Sequence, residues 1–220
     1  MTPKKMTSER APGGADKGEA RRQQVLDAAT ECFRREGFHG TSIARICQMA
    51  GMSPGHIYHY FENKEAIVEA IAERERNDLA GILAQLPDSA DGAALVGSLI
   101  SQTPQMVERA VDSARAGLML ELASEAVRNP SVRDILQYSD EEIRGNFFRK
   151  YLELGPPAGM SDAELSNRME MVAVLMMGLT LRSVHNAGLD VGAMTALTQK
   201  IIRFLLITDA AGGESPRKPE

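Results

Sequence analysis

Residues 41–64, TSIARICQMAGMSPGHIYHYFENK, require two short helices to meet at one glycine. Ile43, Ile46, Cys47 and Ala50 fall at i, i+3, i+4 and i+7, one face of a helix of about two turns. Gly51 ends that helix, because glycine accepts the left-handed backbone that follows a helix. Ser53 stands where a cap is needed for the next helix. Pro54 takes its first position, where a missing N–H loses no bond. The Pro-Gly pair therefore starts a helix instead of turning the chain. A helix of about seven residues is not stable alone and must be held by its neighbours. Thr41 is expected to cap the first of the pair, and Asn63 to cap a long helix over 64–85.

This spacing predicts a helix-turn-helix over about 42–61, resting on an earlier helix over 17–36. Val25, Ala29, Cys32 and Phe33 line one stripe of that earlier helix. Ile43, Ile46, Met52, Ile57 and Phe61 fill the core beneath the turn. Once Ile57 and Phe61 point inward, Gly55, His56, Tyr58 and His59 must point out. A narrow polar face on a short helix suits the major groove of DNA. Gly55 allows close backbone approach. His56 is placed for base edges, and Tyr58 and His59 for phosphate oxygens. Thr41, Ser42, Ser53 and Pro54 sit at helix N-termini, which favour anions. Arg45 lies on the wet face of its helix within reach of a phosphate or base, and Lys64 is expected to clamp a phosphate.

The net charge of −5 does not suggest a nucleic-acid partner, but its distribution does. Residues 1–64 carry ten basic and seven acidic side chains, and the remainder carries 15 basic and 23 acidic. A basic module beside an acidic one suggests a polyanion partner for the first and another task for the second. The N-terminus has no apolar stretch of the signal-peptide kind. The longest apolar run, MVAVLMMGLTL at 171–181, is too short to span a bilayer. A cytoplasmic, nucleoid-associated protein with reduced thiols is expected, with no membrane partner. Cys32 and Cys47 lie on apolar stripes and read as core thiols, with a redox switch as the alternative. His39, His56, His59 and His185 lack ligand spacing with the cysteines, so no metal and no cofactor is expected. No phosphate loop, nucleophile elbow or metal-binding histidine pair is present, which argues against an enzyme.

Helical periodicity continues throughout, so the fold class is all-α. Residues 1–17 read as a mobile arm, 18–78 as the DNA-binding domain, 79–208 as a second helical domain and 209–220 as a tail. Further helices are predicted over 91–103, 104–128 with a break near Asp112, 130–154, 162–187 and 191–208. In 162–187, Leu165, Met169, Val172, Met176 and Leu179 form one stripe, and Val174, Met177, Leu181 and Val184 form another. In 191–208, Met194, Leu197, Ile201 and Phe204 stand beside Ile202 and Leu206. A helix apolar on two sides must be covered on two sides. The second side is expected to meet a twofold mate in a four-helix interface, with Gly178 at a close helix approach.

The segment TSIARICQMAGMSPGHIYHYFENKEAI resembles the DNA-binding signature of the TetR/AcrR transcriptional regulators. Thr41, Gly51, Ser53, Gly55, Tyr58, Phe61 and Lys64 occupy signature positions. Met52 stands where valine is usual, and Cys32 and Cys47 where leucine and alanine are common. The resemblance covers about residues 18–78. It implies an N-terminal helix-turn-helix domain and a helical C-terminal domain for effector binding and dimerisation. It also implies a homodimeric repressor on a pseudo-palindromic operator, released by a small molecule. A constitutive architectural or cell-division DNA-binding protein without an effector is the alternative. A largely apolar effector pocket is expected among the helices at 91–154 and 162–187, lined by Met106, Met119, Leu122 and Met169. Glu121 stands in the apolar run AGLMLELA and needs a partner, either Arg182 or a cationic effector. The helix over 64–85 is the expected lever between the two modules.

Overall fold

The computed structural model describes residues 13–83, 92–153 and 160–207. Among them, nine helices form all the regular structure and no strand is present. They are α1 (Gly13–Gly40), α2 (Ile43–Ala50), α3 (Pro54–Tyr60), α4 (Lys64–Leu83), α5 (Gly92–Val111), α6 (Ser113–Ala126), α7 (Pro130–Glu153), α8 (Asp162–His185) and α9 (Val191–Leu206). Most of the expected N-terminal arm, all of the expected C-terminal tail and the linker after α4 lie outside the described residues. The chain divides into Met1–Ile71 and Ala72–Glu220, so the division falls within α4 and ahead of the expected residue 78.

In the first unit, α1 breaks at Gly37, whose φ of 74° and ψ of 166° are open to glycine alone at little strain. Thr41 binds this break twice. Its N–H and its Oγ1 both donate to the Gly37 carbonyl, at 3.2 and 2.8 Å. Its hydroxyl is therefore turned inward, and Ser42 caps α2 instead, accepting from the Arg45 N–H at 3.1 Å. Gly51 ends α2 at φ 63°, and Met52 donates back to the Cys47 carbonyl at 3.0 Å. Gln24 of α1 donates to the Ala50 carbonyl at 2.8 Å and ties the end of α2 to α1. Asn63 caps α4, accepting from the Ala66 N–H at 2.8 Å.

The core of this unit is built from Val25, Leu26, Cys32 and Phe33 of α1, Ile46 of α2, Ile57 of α3 and Ile67, Val68 and Ile71 of α4. Phe38 and Phe61 close it, with the Phe38 ring 5.4 Å from that of Phe33. Each fully buried side chain of this size contributes about 1.5–3 kcal/mol. Ile57 and Phe61 thus hold a seven-residue helix that could not hold itself. Ile43 and Met52, expected in the core, are only half-buried at its margin.

In the second unit, Val96, Leu99, Ile100, Phe147, Met160, Leu165, Val172, Ile202 and Leu206 form one buried cluster. Val107, Ala110 and Leu179 form another. The sequence predicts a helix ending at 103 and another starting at 104. The structure instead carries α5 through Pro104, while the break comes at Asp112 as expected, where the carboxylate caps α6 by accepting from the Arg115 N–H at 2.8 Å. An ordinary residue at 104 would donate to the Ile100 carbonyl, and proline cannot. Gln199 of α9 donates to that carbonyl through Nε2 at 3.1 Å. This tertiary bond satisfies the acceptor that the proline leaves without its helical N–H.

Candidate nucleic-acid interface

The helix α3 is anchored on one side and open on the other. Ile57 is buried, and Ser53, Pro54, Gly55, His56, Tyr58 and His59 are all exposed. Ser53 has extended backbone at the cap position but gives no side-chain cap. Its Oγ lies 3.4 Å from His56 Nδ1. His59 and Tyr60 meet edge to face at 5.0 Å. Ser42 is exposed at the start of α2. This face offers hydroxyls, imidazoles and a phenol with no carboxylate among them, the donor set that phosphate and base edges accept.

Three residues expected on this surface have other partners. Thr41 is fully buried, with its hydroxyl on Gly37, so it holds the turn and presents nothing outward. Arg45 donates through Nε to Glu36 at 2.7 Å and through Nη1 to Gln48 at 3.0 Å. The Glu36 hydrogen bond and charge raise its pKa above the usual arginine value. Lys64 donates through Nζ to the Phe38 carbonyl at 2.7 Å and the Thr41 carbonyl at 2.9 Å, and it stands 4.3 Å from the centre of the Phe38 ring. Two of the three ammonium N–H groups are thus given to backbone carbonyls. Sequence reasoning missed these partners because the break at Gly37 lies between Glu36 and Arg45, and all of α2 and α3 lies between Lys64 and its acceptors Phe38 and Thr41.

Cys32 and Cys47 are buried free thiols. Burial is the main cause raising the Cys32 pKa, so this thiol ionises less readily than an exposed one. No group of His, Cys, Asp and Glu suited to a metal ion occurs among the described residues. No helix among them is long and apolar enough to cross a membrane.

Of the residues expected to line an effector pocket, Met106 and Met169 both pack against the larger buried cluster of the second unit. Leu122 is buried on α6, and Met119 and Glu121 beside it are half-buried. Arg182 is exposed in the last turn of α8, and its side chain has no hydrogen bond or ion pair among the described residues. The expected Glu121–Arg182 pair is therefore not formed, because Arg182 lies on the solvent side of α8. Among the described residues of this unit the buried carboxylate is Glu125, which no sequence signal singled out. It accepts from Arg128 Nε at 3.0 Å and Asn129 Nδ2 at 3.1 Å, across the joint between α6 and α7.

Residues 25–71 match the family model for bacterial regulatory proteins of the tetR family, and residues 104–206 match that for the BetI-type transcriptional repressor C-terminal domain. The chain belongs to the TetR family of transcriptional regulators. It is 31% identical over 116 residues to the HTH-type transcriptional regulator UidR of Escherichia coli strain K12, an alignment covering 53% of this chain and 57% of that one. It is 29% identical over 197 residues to the regulator BetI of the same strain, covering 86% of this chain and 95% of that protein. Its fold matches Salmonella enterica GusR with a TM-score of 0.67 at 26% identity, over 85% of this chain and 95% of that one. It also matches the fatty acid degradation regulator FadR of Bacillus halodurans with a TM-score of 0.67 at 19% identity, over 90% and 97% of the two chains.

Proposed function

We propose that this TetR-family regulator is a repressor that binds a pseudo-palindromic operator as a homodimer and is released by a small molecule. The observation that carries the reading is the exposed polar face of α3. Ser53, Gly55, His56, Tyr58 and His59 stand on a helix whose other side is fixed by Ile57. Ser42 at the start of α2 extends the donor set.

Assembly as a homodimer is supported by α8 and α9. Met171, Val174, Met177, Leu181 and Val184 of α8 are exposed, as are Leu197, Ile201 and Phe204 of α9. Large apolar side chains left exposed in this number mark an interaction site, and a twofold pairing covers both copies with one contact. The effector is small and largely apolar, and it is received near Met106, Met119, Leu122 and Met169, with Glu121 as the candidate polar anchor. The match to a BetI-type repressor domain supports a ligand-responsive second unit. The protein works in the cytoplasm on the nucleoid, and transcriptional control is its whole activity.

Selection of DNA by the full chain from a random duplex pool tests the reading. The expected product is an inverted repeat whose half-sites lie about one helical turn apart, ~34 Å, or a multiple of it. Enrichment of no sequence at all would sink it.

A further inference from the structure

We propose that Lys64 is a positioning residue for DNA reading, an internal latch that fixes the turn launching the reading helices. The inference rests on the DNA-binding function proposed above. Lys64 is the first residue of α4. Its ammonium joins two carbonyls from far upstream, Phe38 at 2.7 Å and Thr41 at 2.9 Å, with the Phe38 ring 4.3 Å away. These carbonyls lie on either side of the short passage from the break in α1 to the cap of α2. Charged donors make stronger hydrogen bonds than neutral ones, and a ring face adds to the hold.

The passage needs such a hold. Gly37 gives it freedom, with φ at 74°, and Thr41 folds back on the Gly37 carbonyl. Ser42 follows Thr41 and caps α2. The direction of α2 is thus set where the Thr41 carbonyl is gripped. Gly51 passes that direction to α3 through the turn. On the other side of the grip, Ile67, Val68 and Ile71 seat the start of α4 in the core. The latch therefore runs from the first turn of α4 to the exposed face of α3, all within one unit. A lysine that left for a phosphate would open it. A latch improves base reading without adding a phosphate contact, and this separates it from a clamp.

The test uses the full chain, a duplex selected by the wild-type protein and a scrambled duplex of the same length. Lys64→Met keeps the stem and removes the donor. It should weaken the selected duplex about tenfold, as when a base contact is misplaced, and the scrambled duplex less than about twofold. The slope of log affinity on log salt should stay at the wild-type value. Lys64→Arg should recover most of the loss. A variant that merely lost stability would weaken both duplexes alike by lowering the folded fraction. A slope reduced by about one unit, or equal losses on both duplexes, overturns the latch. So does an unchanged preference. Nitrogen NMR of the Lys64 ammonium in the wild type gives the answer without a variant. The signal should be protected in the free protein and unmoved by the selected duplex, and a signal exposed when free and shifted on binding overturns it. Wild-type protein that prefers no duplex would instead refute the DNA-binding reading itself.

Discussion

Gln199 on α9 hydrogen-bonds the carbonyl of Ile100 on α5 at 3.1 Å, the carbonyl that Pro104 leaves without an N–H. Removing the amide strands that acceptor in a mostly buried place. Gln199→Leu should lower stability to urea by about 1–3 kcal/mol. Pro104→Ala supplies the missing N–H, so in the Gln199→Leu background it should restore most of the loss. Additive effects of the two substitutions would show that the carbonyl and the amide are not coupled.

Glu75 of α4 receives two guanidinium groups. Arg109 Nη2 reaches Glu75 Oε2 at 2.7 Å and Arg115 Nε reaches the same oxygen at 2.8 Å, while Arg109 also meets Asp78 at 3.2 Å. Glu75 is 17% exposed, so the pair is sheltered but not dry. Glu75→Gln leaves two like charges side by side and should cost about 2 kcal/mol. Raising salt should shrink the difference, because screening relieves the two arginines. Equal urea midpoints for variant and wild type at low salt would remove the network from the account of stability.

The sequence made those elements legible whose signals are local. Gly51, Pro54 and Asn63 act on their own turn of chain, and each stands where spacing put it. Cys32, Ile57 and Phe61 were legible as core because apolar stripes fix their faces. The exposed set on α3 followed from the same stripes. Pro104 misled because a proline reads as a boundary, and its rescue comes from Gln199, nearly a hundred residues away. Thr41 misled because Thr and Ser stand side by side, and only the path of the backbone at Gly37 decides which hydroxyl turns inward. Lys64 and Arg45 were legible as cations near the reading face. Their partners were not, because pairing across a turn depends on three-dimensional placement. Glu125 gave no pattern at all.

The exposed faces of α8 and α9 predict a state of assembly. Phe204 is 80% exposed and Met177 71% exposed, values that large apolar side chains rarely keep when nothing covers them. A Cβ added at Gly178 would meet nothing within 4 Å among the described residues of the same chain, so a close approach there needs a second copy. Phe204→Glu together with Met177→Glu should give a folded monomer by sedimentation at micromolar concentration, where the twofold reading expects the wild type to be a dimer. Operator affinity should fall with it, since one half-site holds one protomer. A wild-type chain that sediments as a monomer would end the twofold reading.

Gly55 offers the sharpest separation of fold from function. It lies exposed in the first turn of α3, and a Cβ added there would touch nothing within 4 Å among the described residues. Its φ is not positive, so the fold has no conformational need for glycine. By propensity alone, Gly55→Ala should stabilise the free protein, by up to about 1 kcal/mol. If α3 enters a groove with its backbone against DNA, the same methyl group takes space the nucleic acid needs. Affinity for the selected duplex should then fall about tenfold, equivalent to ~1.4 kcal/mol, and Gly55→Leu should abolish specific binding. Thermal melting and fluorescence anisotropy read the two effects on one sample. A variant at least as stable as wild type that binds the selected duplex equally well would show that no backbone approaches DNA at Gly55.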